Sequence, residues 1–172
     1  KKKIQTISDS DWEDFDWRQK TFNVHKTTQT IPLIYDKDFR ENNLTHWKHY
    51  DITKTFLNKL ENKFKKIISD GFIVRAILVK LKANTNILPH TDNLKTLDNN
   101  NRFHIPIITN KKVLFTVGDE VKNLKEGEIW EINNGQKSHS VINDSNKDRV
   151  HLIVDWIKYD HYIIKDNFFY NP

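Results

Sequence analysis

From Gly71 onward the chain adopts a hydrophobic period of two and keeps it for most of its remaining length. Six stretches rich in β-branched and aromatic residues, 72–82, 102–108, 112–117, 128–132, 137–142 and 149–156, are separated by Asn, Asp and Gly turn residues. Short strands at this spacing predict antiparallel sheets packed as a sandwich or jelly roll. Upstream, residues 51–69 follow a helical period, with Phe56, Leu57, Leu60, Phe64, Ile67 and Ile68 forming one apolar stripe. Asp51 or Thr53 can cap that helix, and Asp70-Gly71 ends it. Residues 27–35 read as an edge strand, because Pro32 cannot donate to a ladder. The expected class is therefore mainly β with flanking helices, α+β. At 172 residues the chain suits one domain. Residues 1–70 form its N-terminal segment, 71–157 its core and 158–172 a C-terminal cap.

Within this frame, Pro89-His90-Thr91-Asp92 places an imidazole and a carboxylate two residues apart. On extended backbone both point to the same side, so one metal ion can touch them together. His139, in Lys137-Ser138-His139-Ser140-Val141 after an Asn133-Asn134-Gly135 turn, is the third candidate ligand. Two imidazoles and one carboxylate on one face of an iron ion form the arrangement of non-haem Fe(II) oxygenases. His-x-Asp alone is a weak signal, since a loop Asp bonded to backbone N–H groups beside an exposed His is the commoner origin of such a pair.

The residues that follow strengthen the functional reading. Arg102 and His104 share one strand face, with Phe103, Ile105 and Ile107 on the other. Arg149 opens the apolar run 149–156, and a buried guanidinium there needs an anionic partner. A dicarboxylic acid can supply it through bidentate hydrogen bonds. His151 shares the face of Arg149, either as a support for the site or as a hydrogen-bonded interior histidine.

The order His90-x-Asp92, Arg102-x-His104, His139, Arg149 resembles the aspartyl/asparaginyl β-hydroxylases, a family of 2-oxoglutarate-dependent oxygenases, over residues 72–156. The resemblance implies a cupin-like double-stranded β-helix. It also implies Fe(II) held by His90, Asp92 and His139, with 2-oxoglutarate and O2 as co-substrates. Arg149 would hold the distal carboxylate of 2-oxoglutarate, while Arg102 and His104 would contact 2-oxoglutarate or the substrate. The implied reaction hydroxylates an amino acid, or an Asp-, Asn- or Pro-type residue in a peptide, and yields succinate and CO2. Animal members carry glycine where Asp92 stands, so the likeness is to compact bacterial or viral members.

Composition narrows the alternatives. Charged residues make up 30% and hydrophobic residues 37%, which describes a globular chain. The absence of cysteine excludes disulfides, thiolate metal sites and iron–sulfur clusters. No apolar run approaches the roughly 20 residues that span a bilayer, and a cytoplasmic location is expected. The net charge of +5 comes from scattered lysines, with concentrations only at Lys1-Lys2-Lys3 and residues 63–66, so nucleic acid is not the expected partner. Two other readings stand beside the hydroxylase: a nucleic-acid-modifying oxygenase with the same iron centre, and a metal-binding jelly-roll module without turnover. His25, His46 and His49 lack metal-ligand spacing and read as surface or loop residues. The aromatics of residues 8–18 are expected to dock on the domain, and the polar stretch 93–101 reads as a substrate lid or a plain connection.

Overall fold

The computed structural model describes residues 1–35, 44–92, 100–132, 134–161, 163–165 and 168–170. Three short helices, α1 (Lys2–Gln5), α2 (Asp9–Glu13) and α3 (Trp17–Thr21), precede β1 (Thr28–Ile34). The long helix α4 (Lys54–Ile67) follows, and then β2 (Gly71–Leu81), β3 (Thr85–His90), β4 (Asn101–Ile108), β5 (Val113–Val117), β6 (Glu120–Lys122), β7 (Trp130–Glu131), β8 (His139–Asn143) and β9 (Arg149–Lys158). Backbone of β10 (Ile163–Lys165) and β11 (Phe168–Tyr170) forms a separate hairpin.

The main strands make two antiparallel sheets, one in the order β1-β2-β9-β4-β7 and one in the order β3-β8-β5-β6. This is a jelly roll, and β1 lies at a sheet edge as Pro32 requires. Strands β2 and β9 are buried almost throughout and sit in the middle of the larger sheet. One face of that sheet, with Ala76, Leu78, Phe103, Ile105, Val150, Leu152, Val154 and Trp156, packs on Leu57, Leu60 and Phe64 of α4. The helical stripe is narrower than the sequence predicts: Phe56 is 43% and Ile67 64% exposed, because three residues per two turns are enough to cover the sheet. Thr53 occupies the N-cap position, but its hydroxyl donates to Tyr50 O and leaves the helix N–H groups alone. Gly71 opens β2 because a side chain there would lie 2.2 Å from Ile157 O of β9.

The opposite face of the larger sheet looks at the smaller one, and it carries the charged residues. Alternation along β9 brings Arg149, His151, Ile153 and Asp155 inward, and alternation along β4 does the same for Arg102 and His104. Strands β2 and β3 complete this set, each with one irregularity. In β2, Arg75 shares the inward phase of Ile77 and Val79 and pairs with Asp155, while the extra residue Val74 lets Ile73, paired with Trp156, join the opposite face. In β3, Ile87 pairs with Val141 while His90 pairs with His139, so one extra residue puts His90 on the same inner face as Ile87.

The stretch 93–99 and Asn133 lie outside the described residues, and so does part of the expected cap 158–172. The aromatics of residues 8–18 dock as expected: Trp12 is buried, and Phe15 meets Tyr35 and Trp47 edge to face.

Candidate active site

Between the two sheets lies a pocket whose walls include Arg18, His25, Arg75, His90, Asp92, Arg102, His104, His139 and Arg149. Its waist is apolar, made by Ile77, Val79 and Ile153 from one sheet and Ile87 and Val141 from the other. Titratable side chains therefore converge in a low-dielectric space where unpaired charge is costly.

At the end of β3, His90 Nδ1 lies 2.8 Å from Leu88 O. A carbonyl only accepts, so Nδ1 carries the proton and Nε2 has a free lone pair. That Nε2 is 3.6 Å from Asp92 Oδ1. His139 opens β8 directly across from His90, with ring centroids 4.2 Å apart, and its Nε2 is 3.7 Å from Asp92 Oδ2. The turn after Ile132 fixes Asp92 between them: Asp92 N–H donates to Asn134 O at 2.9 Å, and Asn134 Nδ2 donates to Asp92 Oδ2 at 2.9 Å. Arg102 Nη1 also donates to Oδ2. Oδ1 is thus the carboxylate oxygen left for a metal.

Charge on these groups follows from their surroundings. Burial opposes ionisation of Asp92, but Arg102, His139, the Asn134 amide and His90 outweigh it and hold the carboxyl well below the usual range. Burial pushes the His139 pKa down to about 4, against the pull of Asp92 and with help from His90 and Arg102. His104 and His151 are held far below the ordinary imidazole value, first by burial and then by Arg149. All three rings are neutral at pH 7, the form that binds metals or accepts hydrogen bonds.

Asp155, fully buried on β9, faces Arg75 of β2 on one side and Arg102 of β4 on the other. Arg75 Nε donates to its Oδ2 at 2.5 Å, while Arg102 donates through Nε to Oδ1 at 2.7 Å and through Nη2 to Oδ2 at 3.2 Å. Burial works against the Asp155 charge, and the two guanidiniums overcome it and lower its pKa.

Arg149 is different. It is 1% exposed, and its only described partner is His151, whose Nδ1 accepts from Nη2 at 2.5 Å. No carboxylate lies within ion-pair distance among the described residues, and burial lowers its pKa. Arg149 Nε, His151 Nε2 and His104 Nδ1 are all buried without a hydrogen-bond partner among the described residues. Unsatisfied groups concentrated this way mark a place that takes a polar ligand.

Residues 2–158, which include both sheets, match the profile of the aspartyl/asparaginyl beta-hydroxylase family. The chain belongs to that family. No protein with curated annotation is similar enough in sequence to count as a relative. Among solved structures, an oxidoreductase of the 2OG-Fe(II) oxygenase family from Burkholderia pseudomallei is similar, with a TM-score of 0.61 at 15% identity. The likeness covers 76% of this chain and 66% of that one, so this chain spans just under two thirds of that neighbour's length. At such identity it speaks for the fold alone. A predicted oxalate decarboxylase from Thermotoga maritima, at TM-score 0.42 and 14% identity over 76% of this chain and 80% of that one, is a more distant likeness.

In this aspartyl/asparaginyl beta-hydroxylase family member, the pocket brings together all six residues singled out in the sequence: His90, Asp92, His139, Arg102, His104 and Arg149. Arg102, expected to touch 2-oxoglutarate or substrate, has its guanidinium on Asp155 and Asp92. His25, expected at the surface, is 7% exposed and stands edge to face with His90 at 5.3 Å. Donor atoms of His25, His90 and Asp92 all lie within 4.8 Å of one another, a grouping that does not include His139 and makes His25 a rival candidate ligand. Arg18 Nη2, 2.9 Å from His25 Nε2, argues against that role. A guanidinium only donates, so Nε2 accepts, Nδ1 carries the proton, and neither nitrogen offers a lone pair while the bond holds. Sequence reasoning also passed over Arg75, Asp155, Asn134 and Arg18. The signal for Asp155 was present, since it falls on the Arg149 face of an apolar run. Among the described residues no helix is long and apolar enough to cross a membrane.

Proposed function

We propose that this chain is an Fe(II)- and 2-oxoglutarate-dependent dioxygenase that hydroxylates an unactivated C–H bond of an amino acid, free or as an Asp-, Asn- or Pro-type residue in a peptide. One observation carries the reading: a two-imidazole, one-carboxylate cluster shares its pocket with a buried guanidinium that has no carboxylate among the described residues. Family membership and the jelly-roll fold support an oxygenase-type hydroxylase.

The donor set fits iron. His90 offers Nε2 in a tautomer fixed by Leu88 O, His139 offers Nε2, and Asp92 offers Oδ1 because Oδ2 is taken by Arg102 and Asn134. When bound, iron and 2-oxoglutarate supply the oxidative decarboxylation that drives C–H hydroxylation, with succinate and CO2 as co-products. The chain's own residues bind and orient. Arg149 takes the distal carboxylate of the co-substrate, and His151 fixes the guanidinium from behind. His104, neutral and with Nδ1 unpaired among the described residues, supplies a further polar contact on that side. Ile77, Val79, Ile87, Val141 and Ile153 exclude water, which protects the site from unproductive oxidation. Asp155 and Arg102 hold Asp92 in place.

An anaerobic titration tests this without knowledge of the substrate. Adding Fe(II) and then 2-oxoglutarate to the metal-free protein is expected to produce a visible metal-to-ligand charge-transfer band, and Arg149→Ala is expected to lose it. Iron binding without the band in the unaltered protein would replace the enzyme by a metal-binding module.

A further inference from the structure

We infer that Arg18, supplied by the N-terminal segment, binds a carboxylate of the substrate to be hydroxylated; the inference rests on the proposed dioxygenase activity and names its substrate class as carboxylate-bearing.

Arg18 lies on α3 and points into the pocket beside His25, Arg75, His90, Asp92 and Arg102. Its Nη2 meets His25 Nε2 at 2.9 Å and its Nη1 meets Thr30 Oγ1 at 3.4 Å. Both partners are neutral, since Thr30 offers a hydroxyl and His25 Nε2 can accept from a guanidinium only as an uncharged ring. Five N–H donors and one positive charge are therefore met by two uncharged acceptors. The Arg18 guanidinium loses solvation by burial and faces repulsion from Arg75 and Arg102, which the weaker pull of Asp92 only partly offsets.

The charges around it sharpen the point. Of the four arginines on the pocket wall, Arg75 and Arg102 share Asp155, and Arg102 also meets Asp92. Arg18 and Arg149 are the two without a carboxylate among the described residues. They serve different ends of the pocket. Arg149 sits with His151, six residues up β9 from Asp155, which is roughly 20 Å of strand. Arg18 sits at the Asp155 and Asp92 end, next to His25 and His90. One small dicarboxylic acid anchored on Arg149 leaves the Arg18 charge unmet, so a second anion is needed on the metal side. A carboxylate suits it, because a guanidinium held at two of its nitrogens still presents a planar edge for bidentate binding. Gln19 steadies the segment by donating to Thr28 Oγ1 at 3.3 Å and Thr30 Oγ1 at 3.1 Å, so the cation is carried on a fixed support.

The test is calorimetric titration, without oxygen, of the Fe(II)- and 2-oxoglutarate-loaded protein. One arm uses the free L-amino acids against their carboxamides, and the other uses short blocked peptides containing Asp against the same peptides containing Asn. The expected result is binding of the acid at least tenfold tighter than its amide in one arm, which also says whether the carboxylate is an α-carboxylate or a side chain. Arg18→Gln keeps a donor for His25 and is expected to abolish that discrimination, with 2-oxoglutarate affinity and the visible band unchanged. Arg18→Lys is expected to restore part of it. The inference is overturned if no acid binds the unaltered protein, if acid and amide bind alike, or if Arg18→Gln still discriminates. Loss of 2-oxoglutarate affinity in Arg18→Gln would also overturn it, by assigning the anion to the co-substrate. Absence of the band in the unaltered protein is a separate failure, that of the dioxygenase reading, and the calorimetric discrimination is read independently of it.

Discussion

Asp155 and Arg102 are direct cross-strand partners on β9 and β4, and their doubly bonded pair holds the guanidinium that reaches Asp92. The candidate metal carboxylate is thus tied to the centre of the larger sheet through one arginine. Arg75, on the other flank of Asp155, completes a buried row across three strands.

Removing the central charge should expose how much the fold depends on that row. Asp155→Asn leaves two buried guanidiniums sharing no carboxylate between them, and breaking buried pairs of this kind costs on the order of 3–5 kcal/mol. Thermal or urea unfolding of the metal-free protein checks it. A loss under about 1 kcal/mol, the range of an exposed pair, would show that water reaches the row.

The same carboxylate predicts an acid limb. The folded-state pKa of Asp155 lies below its unfolded value, so its contribution is fully present above the ordinary carboxylate pKa of about 4. It is lost as pH falls from there through the folded-state value, because the unfolded chain takes up the proton first. Urea midpoints measured from pH 6 to pH 2 should fall steeply in the unaltered protein and less steeply in Asp155→Asn.

Metal affinity should separate ligands from neighbours. Asp92→Ala and His139→Ala are expected to weaken Fe(II) binding by more than about 100-fold, beyond the 10–100-fold typical of an outer partner. Asn134→Ala, which removes the donor to Asp92 Oδ2, belongs in that lower range. His25→Ala is expected to keep full iron stoichiometry, since its Nε2 lone pair is engaged by Arg18. Anaerobic titration of each variant decides; iron lost with His25 and kept with His139 would exchange their roles.

Arg149 carries the co-substrate prediction. Arg149→Ala should retain iron and lose roughly 2–5 kcal/mol of 2-oxoglutarate affinity, the usual range for truncating one partner of a buried charge pair. Calorimetry with the Fe(II)-loaded variant measures it, and unchanged affinity would place the co-substrate elsewhere.

Much of this was legible beforehand because it depends on local period. The alternation of 149–156 and 102–108 put Arg149, His151, Arg102 and His104 on inward faces, and the sheets keep them there. Pro32 marked an edge strand for the same local reason. What was not legible depends on register. Arg75 meets Asp155 through the pairing of two strands 80 residues apart in sequence, and no local period reveals which strands are neighbours. The role of Arg102 was obscured because its partner Asp155 lies 53 residues away in sequence. His25 and Arg18 reach the pocket by the packing of short helices that carry no strong amphipathic pattern.

The two extra residues in β2 and β3 also leave the spacing along these strands free to vary. Deleting Val74 would make Ile73 and Arg75 consecutive partners of Trp156 and Asp155, and deleting one residue between Ile87 and His90 would set these two apart by the same step as Val141 and His139, so Arg75 and His90 would keep their inward faces. Neither change alters the residues that carry the chemistry. A chain that lost either codon would still assemble its centre on straighter strands, while a motif search keyed to the longer spacing would overlook it.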